Sequence, residues 1–347
     1  SIKSGIISTF KVLNYPFYEK KRCKKCGNVL QKWGKNKSGS QRYRCINCGI
    51  SDTRKRGDIT QENHQKVYES WLLSKFTLSD FANKHRIHRR TLDRWFAPFR
   101  NQEILAQTVT QSGEVFIIDG YYVQFGATVL IAQSSTNYVV NWLFTYAENF
   151  STWLALFEQI SVFPFAIVCD GQKGMIKAIK LRWPGVIIQR CQFHVIHQVN
   201  ILLTKYPETT AAQEFKKVVS DIILVKTNDG LKAWLMDYKW WYVEYKEFLA
   251  ERTYQDVQTP TGRRKWHYTH GRLHAAHSHL KHAFPNLFQY IHFPEIPNTS
   301  NRIEGGINTQ IQRHIDRHRG TTLFQRRQII AAFLKQKQLQ KPTRNVT

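Results

Sequence analysis

Two stretches of the chain decide the fold: VFIIDG at residues 115–120 and FAIVCDG at residues 165–171. Each is a short apolar run that ends in Asp-Gly, the pattern of a buried strand followed by a turn. Predicted strands and helices alternate around both runs, which favours an α/β fold built in packed layers. Because strand ends meet at one edge of such a sheet, we expect Asp119 and Asp170 to lie close together.

The α/β unit has a definite order of elements. Strands are predicted over residues 115–118, 127–132, 138–146, 165–169 and 186–189, and helices over residues 151–160 and 173–182. Pro184 ends the second helix, because proline has no N–H to donate to a further turn. Long amphipathic patterns follow from residue 198 to residue 290, and they predict a helical insertion.

A third carboxylate stands far downstream, in a segment that reads NRIEGG at residues 301–306. Glu304 is predicted to lie one turn into a helical element over residues 298–335, which Thr299 or Ser300 would cap. The apolar residues of this element recur every four positions and predict a buried face, at Ile303, Ile307, Ile311 and Ile315. Two ordinary Asp-Gly turns are the alternative interpretation of the two aspartates, and this third acid weakens that alternative.

Four cysteines near the N-terminal end form two CxxC pairs that eighteen residues separate. They are Cys23, Cys26, Cys45 and Cys48. Two facing thiolate pairs at this spacing predict a zinc ribbon with one structural Zn²⁺. Gly27 and Gly49 follow the pairs, where a knuckle turn needs positive φ. Unliganded cysteines and a redox dithiol are the alternatives, and contact of the ribbon with DNA stays open.

Three short helices are predicted after the ribbon, over Gln61–Leu73, Leu78–Lys84 and Arg89–Phe96. Their spacing and apolar positions indicate a helix-turn-helix, with Thr77 as the cap of the second helix. The last helix would present four residues to the major groove of DNA, namely Arg89, Arg90, Thr91 and Arg94. A generic helical hairpin between two domains is the alternative.

The composition points to a polyanionic partner. Lys and Arg total 51 against 25 Asp and Glu, a formal net charge of +26, and nucleic acid best balances such an excess. Charge alone leaves DNA, RNA and an anionic membrane surface open. Neither a membrane-spanning apolar run nor a signal-peptide pattern occurs, so we expect a cytoplasmic protein that associates with the nucleoid and has no membrane partner.

Four sequence blocks occur in the order that is typical of one family. They are Ile118-Asp119-Gly120, then Asp170-Gly171 with Lys173-Gly174, then Arg190-Cys191-Gln192-Phe193-His194, and then Pro297-Asn298-Thr299-Ser300-Asn301 leading into Glu304. In this order they resemble the Mutator-like DDE transposases, which include many bacterial insertion-sequence transposases, over roughly residues 110–330. The resemblance implies an RNase H-like catalytic core that an all-helical insertion interrupts between the second Asp and the Glu.

The resemblance also implies a chemistry. Asp119, Asp170 and Glu304 would form the catalytic triad and bind two Mg²⁺ or Mn²⁺ ions per active site, which activate a water or a 3′-hydroxyl and stabilise the departing oxygen. The substrates would be double-stranded DNA, both the terminal inverted repeats of a transposon and its target. We expect Arg302 to contact this DNA, and we expect a homodimer because two transposon ends are processed together.

Further residues have either a structural or a functional interpretation. Cys191 and His194 form a CxxH block, for which packing and hydrogen bonding compete with a metal or DNA role. Trp240 and Trp241 would stack on an unpaired base or belong to the core of the insertion. A set of histidines shares one predicted helix face, which suits either a metal or phosphate, at His270, His274 and His277.

These segments define the predicted domains. They are a zinc ribbon at residues 1–55, a helix-turn-helix domain at 56–103, the first part of the core at 110–197, the helical insertion at 198–296 and the final core helix with the catalytic Glu at 297–335. Two other functions stay open at this stage. One is a catalytically silent DNA-binding regulator derived from a transposase, and the other is an RNase H-like nuclease.

Overall fold

The structure is a computed structural model that describes residues 22–36, 41–53, 61–107, 113–258, 264–300, 306–318 and 320–340. The chain divides into two compact units, of which the first ends at Val67 and the second begins at Tyr68. Glu304 and Arg302, both predicted site residues, lie outside the described residues.

The described residues form the following strands and helices. The strands are β1 (Gln31–Lys35), β2 (Gln41–Arg44), β3 (Ser51–Thr53), β4 (Val115–Gln124), β5 (Ala127–Ser134), β6 (Val139–Thr145), β7 (Ala166–Cys169), β8 (Ile187–Arg190), β9 (Arg252–Gln258) and β10 (Arg264–Tyr268). The helices are α1 (Gln61–Leu73), α2 (Leu78–Lys84), α3 (Arg89–Phe96), α4 (Phe150–Glu158), α5 (Lys173–Arg182), α6 (Gln192–Leu203), α7 (Thr210–Ser220), α8 (Asn228–Ala250), α9 (Gly271–Ala283), α10 (Gln289–His292), α11 (Thr309–Arg317) and α12 (Leu323–Leu339).

A five-stranded mixed sheet forms the centre of the second unit, with the strand order β6-β5-β4-β7-β8. β4, β5 and β6 pair antiparallel, and the turn between β4 and β5 has positive φ at both Phe125 and Gly126, as tight hairpins require. β7 and β8 join in parallel after helical connections. The predicted α/β class is confirmed, and each of the five predicted core strands is present.

One detail of the strand prediction is wrong, because Asp119 does not end its strand. β4 continues to Gln124, since the residues beyond Asp119 keep pairing with β5. What ends at this point is the parallel pairing with β7, whose last pair is Ile118 with Cys169. Asp119 therefore follows the end of the parallel ladder and remains inside the antiparallel one.

Helices cover both faces of the sheet. Successive residues of a strand face opposite sides, and in β4 they supply two separate cores. Val115 and Ile117 pack with residues of α11 and α12, whereas Phe116 and Ile118 pack with residues of α4 and α5. The sheet is therefore the middle layer of three, and polar side chains can collect at its strand ends.

The helices on one face approach each other closely at Gly174 in α5. A Cβ built at this glycine would lie 2.8 Å from the backbone N of Phe150 at the start of α4. The neighbouring atom is backbone, so no flexible side chain can move aside. The glycine therefore allows the start of α4 to lie next to the loop that follows β7.

The described residues between β8 and α11 are mainly helical, with their own core around buried aromatic residues, among them Phe215, Trp234 and Trp241. The prediction that this insertion is all helical is wrong in one place, because β9 and β10 form an antiparallel hairpin. Cross-strand contacts stabilise the hairpin. The guanidinium of Arg252 lies 4.0 Å from the ring centre of Trp266, and Trp266 pairs with Tyr254.

The final element is two helices, and the prediction of one continuous helix is wrong. Gly320 has a φ of 70°, which an α-helix does not allow, and it separates α11 from α12. Thr322 then caps α12 in a capping box with Gln325, where each side chain accepts from the other residue's N–H. The predicted buried face is confirmed for Ile307, Ile311 and Ile315, whereas Ile303 lies outside the described residues.

The three helices that precede the sheet have the predicted bounds. Thr77 caps α2, as predicted, by accepting a hydrogen bond from the N–H of Asp80 (3.2 Å). Tyr68 of α1 donates to the side chain of Gln328 in α12 (2.7 Å), and Gln328 donates to the carbonyl of Phe99 after α3 (2.7 Å). These buried bonds join α1 and α3 to the final helix. No described helix has the length and apolar composition that crossing a bilayer requires.

Candidate active site and metal centre

Four cysteine thiols come together in the first unit, which also contains the antiparallel sheet β1-β2-β3. Their sulfur atoms all lie within 4.8 Å of one another, and the cluster consists of Cys23, Cys26, Cys45 and Cys48. The closest pairs are Cys23 with Cys48 (3.3 Å) and Cys26 with Cys45 (3.4 Å). Sulfur ligands around a tetrahedral zinc ion lie about 3.8 Å apart, since each Zn–S bond is about 2.3 Å. The cysteine cluster therefore fits one zinc ion.

Backbone hydrogen bonds hold the turns of the cysteine cluster and favour a thiolate within it. In each CxxC pair a glycine N–H donates to the carbonyl of the first cysteine at 2.9 Å. Both glycines, Gly27 and Gly49, have positive φ, 73° and 70°, as predicted for knuckle turns. The backbone N–H groups of Lys25 and then Cys26 lower the pKa of Cys23 to about 6. This favours the thiolate, which is the form that binds metal.

Asp119 lies on β4, and Asp170 directly follows β7, the neighbouring strand of the central sheet. Ile118 of β4 pairs with Cys169 of β7 in parallel, so the two aspartates follow from the same position of the ladder. Asp119 is 8% exposed, and Asp170 is half-buried. The parallel register therefore brings the two carboxylate-bearing residues side by side where the ladder between β4 and β7 ends. We call this position the acidic edge.

Hydrogen bonds orient both aspartates. Asp119 accepts from the N–H of Gly120 (2.9 Å) and from the side-chain amide of Asn308 (3.3 Å), and Asp170 accepts from the N–H of Gln172 (3.0 Å). Asn308 belongs to a π-helical turn before α11, and its side-chain oxygen is buried with no donor among the described residues. Carboxylate and amide oxygens are the ligands that Mg²⁺ and Mn²⁺ prefer, so this edge fits a hard divalent cation.

The described residues do not by themselves complete a divalent-cation site at the aspartates. Within the described ranges, the cysteine cluster is the one group of three or more Cys, His, Asp or Glu ligand atoms that lie within 4.8 Å of one another. A further ligand is therefore needed beside Asp119 and Asp170, and Glu304 is the sequence-based expectation for it.

A carboxylate that the sequence analysis missed, Glu148, reaches the same edge. It accepts a hydrogen bond from the side-chain amide of Gln172 (3.0 Å). A Cβ built at Gly120 would lie 2.6 Å from its carboxylate, so this glycine leaves the space that the acid occupies. The sequence carries little signal for Glu148, because it precedes Asn149, the capping residue of α4, and acids are common near helix N-termini.

Arg190 ends β8 beside these residues, and its side chain is buried. The residue is only 7% exposed, and its side chain lies directly against Gly171. Gly171 has a φ of 79°, and a Cβ there would overlap with the arginine, so both the turn and the contact require glycine. Arg190 belongs to one of the sequence blocks that resemble the family, and the sequence alone indicates no role for it.

The CxxH block fastens the segment that precedes residue 301. The sulfur of Cys191 accepts from the N–H and from the hydroxyl of Ser300, each at 3.2 Å, and that hydroxyl lies 3.4 Å from Nδ1 of His194. The N–H of Gln192 donates to the carbonyl of Asn298, whose side-chain amide donates back. Although burial opposes ionisation, hydrogen bonds from His194 and Ser300 lower the pKa of Cys191. These contacts join the block to the segment that precedes residue 301.

The two tryptophans of α8 have different environments. Trp241 is fully buried in the core of the insertion and donates from Nε1 to the carbonyl of Ala211 (2.9 Å). Trp240 is 60% exposed. Trp241 therefore belongs to the core, and only Trp240 is accessible for stacking on a base.

The histidine face at α9 consists of rings that each have their own partner. His270 pairs with Glu251 (2.9 Å), His274 stacks on a tyrosine ring, and the buried His277 forms a hydrogen bond with the hydroxyl of Tyr238 (2.9 Å). Within the part of the chain that the structure describes, these three histidines do not form a metal-binding group. Burial of His277 also prevents the three rings from facing phosphate together.

The residues predicted to contact the major groove lie on α3. Arg89, Arg90 and Arg94 are exposed, and Thr91 is half-buried. His88 caps the helix, since its Nδ1 accepts from the N–H of Arg90 (3.3 Å). The helix therefore presents guanidinium groups to solvent from its first turn onward.

Residues 127–261 match the sequence model of one known family, which is described as Transposase, Mutator family. The match covers about two fifths of the chain, from β5 through β9, and it includes Asp170 but neither Asp119 nor Glu304. It supports a transposase at the level of the family, and hence DNA as the partner. More particularly, it supports a Mutator-like transposase, and it confirms the resemblance inferred from the sequence blocks. No curated protein matches the chain.

We expect the purified chain to contain one zinc ion, because four thiolates saturate a tetrahedral structural site. Replacing Cys23 and Cys45 together by Ser should remove the zinc and unfold the region around the cysteine cluster, since such binding energy is also folding energy. Elemental analysis measures the zinc content. The control is Cys169→Ala, which removes a buried thiol of the second unit and should keep the zinc. Wild-type protein without zinc would refute the prediction.

The contacts of Cys191 predict a difference between two substitutions. Cys191→Ala removes the sulfur that accepts from the N–H and the hydroxyl of Ser300, and the loss of a buried acceptor lowers the free energy of unfolding by about 1–3 kcal/mol. Cys191→Ser keeps an acceptor at the same position and should lose less. Denaturant unfolding measures both variants. Equal losses would mean that the size of the sulfur, and not its hydrogen bonds, stabilises this segment.

Proposed function

We propose that the chain is a DNA transposase that binds the terminal inverted repeats of its element, cuts a DNA strand and joins the free 3′ end to target DNA. Asp119, Asp170 and Glu304 form its catalytic triad. The observation that supports this most is the parallel pairing of Ile118 with Cys169, after which two aspartates stand side by side. Asp170 lies within the segment that matches the Mutator-family transposases, and Asp119 lies on the strand before it. The mixed sheet between two helical layers is consistent with the RNase H-like core that this family implies.

The residues at the sheet edge would hold two Mg²⁺ or Mn²⁺ ions. When bound, such ions activate the attacking oxygen and stabilise the charge on the phosphate. The chain's own contribution is preorganisation: Gly120 and Asn308 hold the carboxylate of Asp119, and a backbone N–H holds that of Asp170. Glu148 adds a further carboxylate at this edge.

The contacts of Cys191 would position the third acid. Cys191 and His194 bind Ser300, four residues before Glu304, and Gln192 binds Asn298. These bonds tie the segment that leads to Glu304 to the start of α6. We infer that this attachment brings the Glu304 segment to the edge of the sheet where the two aspartates lie.

The N-terminal elements would recognise the transposon ends. In this proposal α2 and α3 belong to a helix-turn-helix, and Arg89, Arg90, Thr91 and Arg94 contact bases or phosphates in the major groove. Arg302 contacts the DNA near the active site, and the exposed Trp240 is available for an unpaired base. The domain boundaries are those inferred from the sequence. Two chains act together as a homodimer, because two ends must be joined to one target.

Each acid of the triad should be essential for cutting and dispensable for binding. Asp119→Asn, Asp170→Asn and Glu304→Gln keep the size of the side chain and remove the charge that holds a cation. Cleavage and strand transfer of a labelled element end in Mg²⁺ should fall by several orders of magnitude, whereas end binding persists. Ca²⁺ should support binding and not cutting, since its coordination is looser.

A matched control for these variants is Glu158→Gln, which neutralises an exposed acid on α4 and should cut at the wild-type rate. Wild-type cutting by Glu304→Gln would contradict the triad. In that case the third ligand lies elsewhere, and Glu148, Glu295 and Asp316 are the next acids to replace.

Substitutions on α3 should change sequence preference more than general DNA affinity. Arg90→Ala and Arg94→Ala remove guanidinium groups that would read base edges, so affinity for the element end should fall more than affinity for random duplex. Binding should also weaken steeply with salt, with about 0.9 added to the log-log slope for each phosphate contact. Titrations on both DNAs at several salt concentrations measure these effects. An equal loss on both DNAs would assign α3 to backbone contact.

A further inference from the structure

The guanidinium of Arg190 has a buried nitrogen that lacks an acceptor among the described residues. The residue is 7% exposed, and its Nε is buried with no hydrogen-bond partner among the described residues. The ion pairs found in the described part of the chain do not include Arg190, even though Asp170 follows the strand position opposite it. A buried guanidinium that lacks both a counter-charge and an acceptor is unfavourable unless a ligand supplies them.

A second buried nitrogen without a partner among the described residues belongs to a histidine of the insertion. Nε2 of His279, on α9, is buried and has no partner among the described residues. Burial, and next the positive charge of Arg190, lower the pKa of His279, so the neutral ring is favoured and a proton-bearing nitrogen can donate without a second full charge. The two side chains come from the sheet and from the insertion, which are both in the second unit.

The position of Arg190 suits an anion that approaches the edge of the sheet. Its side chain lies against Gly171, directly after Asp170, so the guanidinium is held next to one of the two aspartates. Guanidinium groups bind phosphate oxygens through two parallel N–H donors, a geometry that an ammonium does not reproduce. Carboxylates at the same edge would hold cations, which favours a phosphate over a free carboxylate ligand.

We propose that Arg190 binds a phosphate group of the DNA backbone beside Asp170. This inference rests on the proposed function for the identity of the phosphate as a phosphodiester of the DNA that is cut. Arg190 is then a substrate-binding residue that orients the DNA strand relative to Asp119 and Asp170. A bound phosphate also explains why a charged side chain is kept in a buried position without a partner from the described residues.

The first experiment uses inorganic phosphate as the probe and needs no activity. Thermal unfolding of the full zinc-loaded chain is measured in Mg²⁺ buffer with increasing phosphate, against chloride at equal ionic strength. Phosphate should raise the midpoint of the wild type saturably, because a ligand that binds the folded state stabilises it. Arg190→Met, which keeps an apolar stem of similar length, should lose this rise and should not lower the midpoint without phosphate. Arg190→Lys should keep only part of the rise.

The matched control is Arg182→Met on α5. Arg182 donates to the carbonyls of Phe157 (3.3 Å) and Ile160 (2.7 Å), so its side chain is already satisfied. This variant should unfold at a lower temperature and keep the full response to phosphate. A full phosphate response in Arg190→Met, or a loss of the response in Arg182→Met as well, would overturn the inference.

The second experiment uses DNA and separates this inference from the proposed function. Element-end DNA carries one neutral methylphosphonate at each successive position around the cut. At one position the methylphosphonate should slow cutting by the wild type about 10²-fold, the usual effect of losing one charge-assisted hydrogen bond, and should not slow Arg190→Met any further. Wild-type cutting rates in Arg190→Met on unmodified DNA would overturn the inference and leave the proposed function standing. If the wild type cuts no element end, the proposed function fails, and the phosphate titration still tests Arg190.

Discussion

The parallel pairing of β4 with β7 is the interaction on which the rest of the candidate site depends. It joins two strands that lie far apart in the chain, and its register ends at Ile118 and Cys169. Asp119 and Asp170 take their places from this ending, since each directly follows one residue of the last pair. A shift of one residue would turn one aspartate to the opposite face, because successive side chains of a strand alternate.

Three glycines allow the groups around this edge to approach, each for a different reason. Gly120 leaves the space for the carboxylate of Glu148, and Gly171 leaves the space for the side chain of Arg190. Gly174 lets the backbone of α4 lie against α5, which carries Glu148 to the loop after β7. The acidic edge thus requires close packing as well as charge. Glycines at fixed positions allow this packing.

Excess positive charge and a buried positive charge are both unfavourable, and a bound DNA backbone would stabilise both. The chain has a formal net charge of +26, which a polyanion can balance. Arg190 carries one of these positive charges inside the protein, whereas the arginines of α3 carry theirs at the surface. A DNA backbone that reached both places would neutralise surface charge by counterion release and would give the buried arginine its acceptor.

The sequence by itself determined the elements that depend on near neighbours: the cysteine cluster, the α/β class, the bounds of α1 to α3 and the buried face at Ile311 and Ile315. Short-range patterns such as CxxC spacing, alternation and helix caps encode these features. The hairpin of β9 and β10, the break at Gly320 and the continuation of β4 beyond Asp119 were not predicted correctly, because pairing between strands and the packing of separate elements decide them. The position of Glu148 and the burial of Arg190 emerged only from the tertiary structure. Their surroundings consist of residues distant in the chain, and only the folded topology brings these residues together.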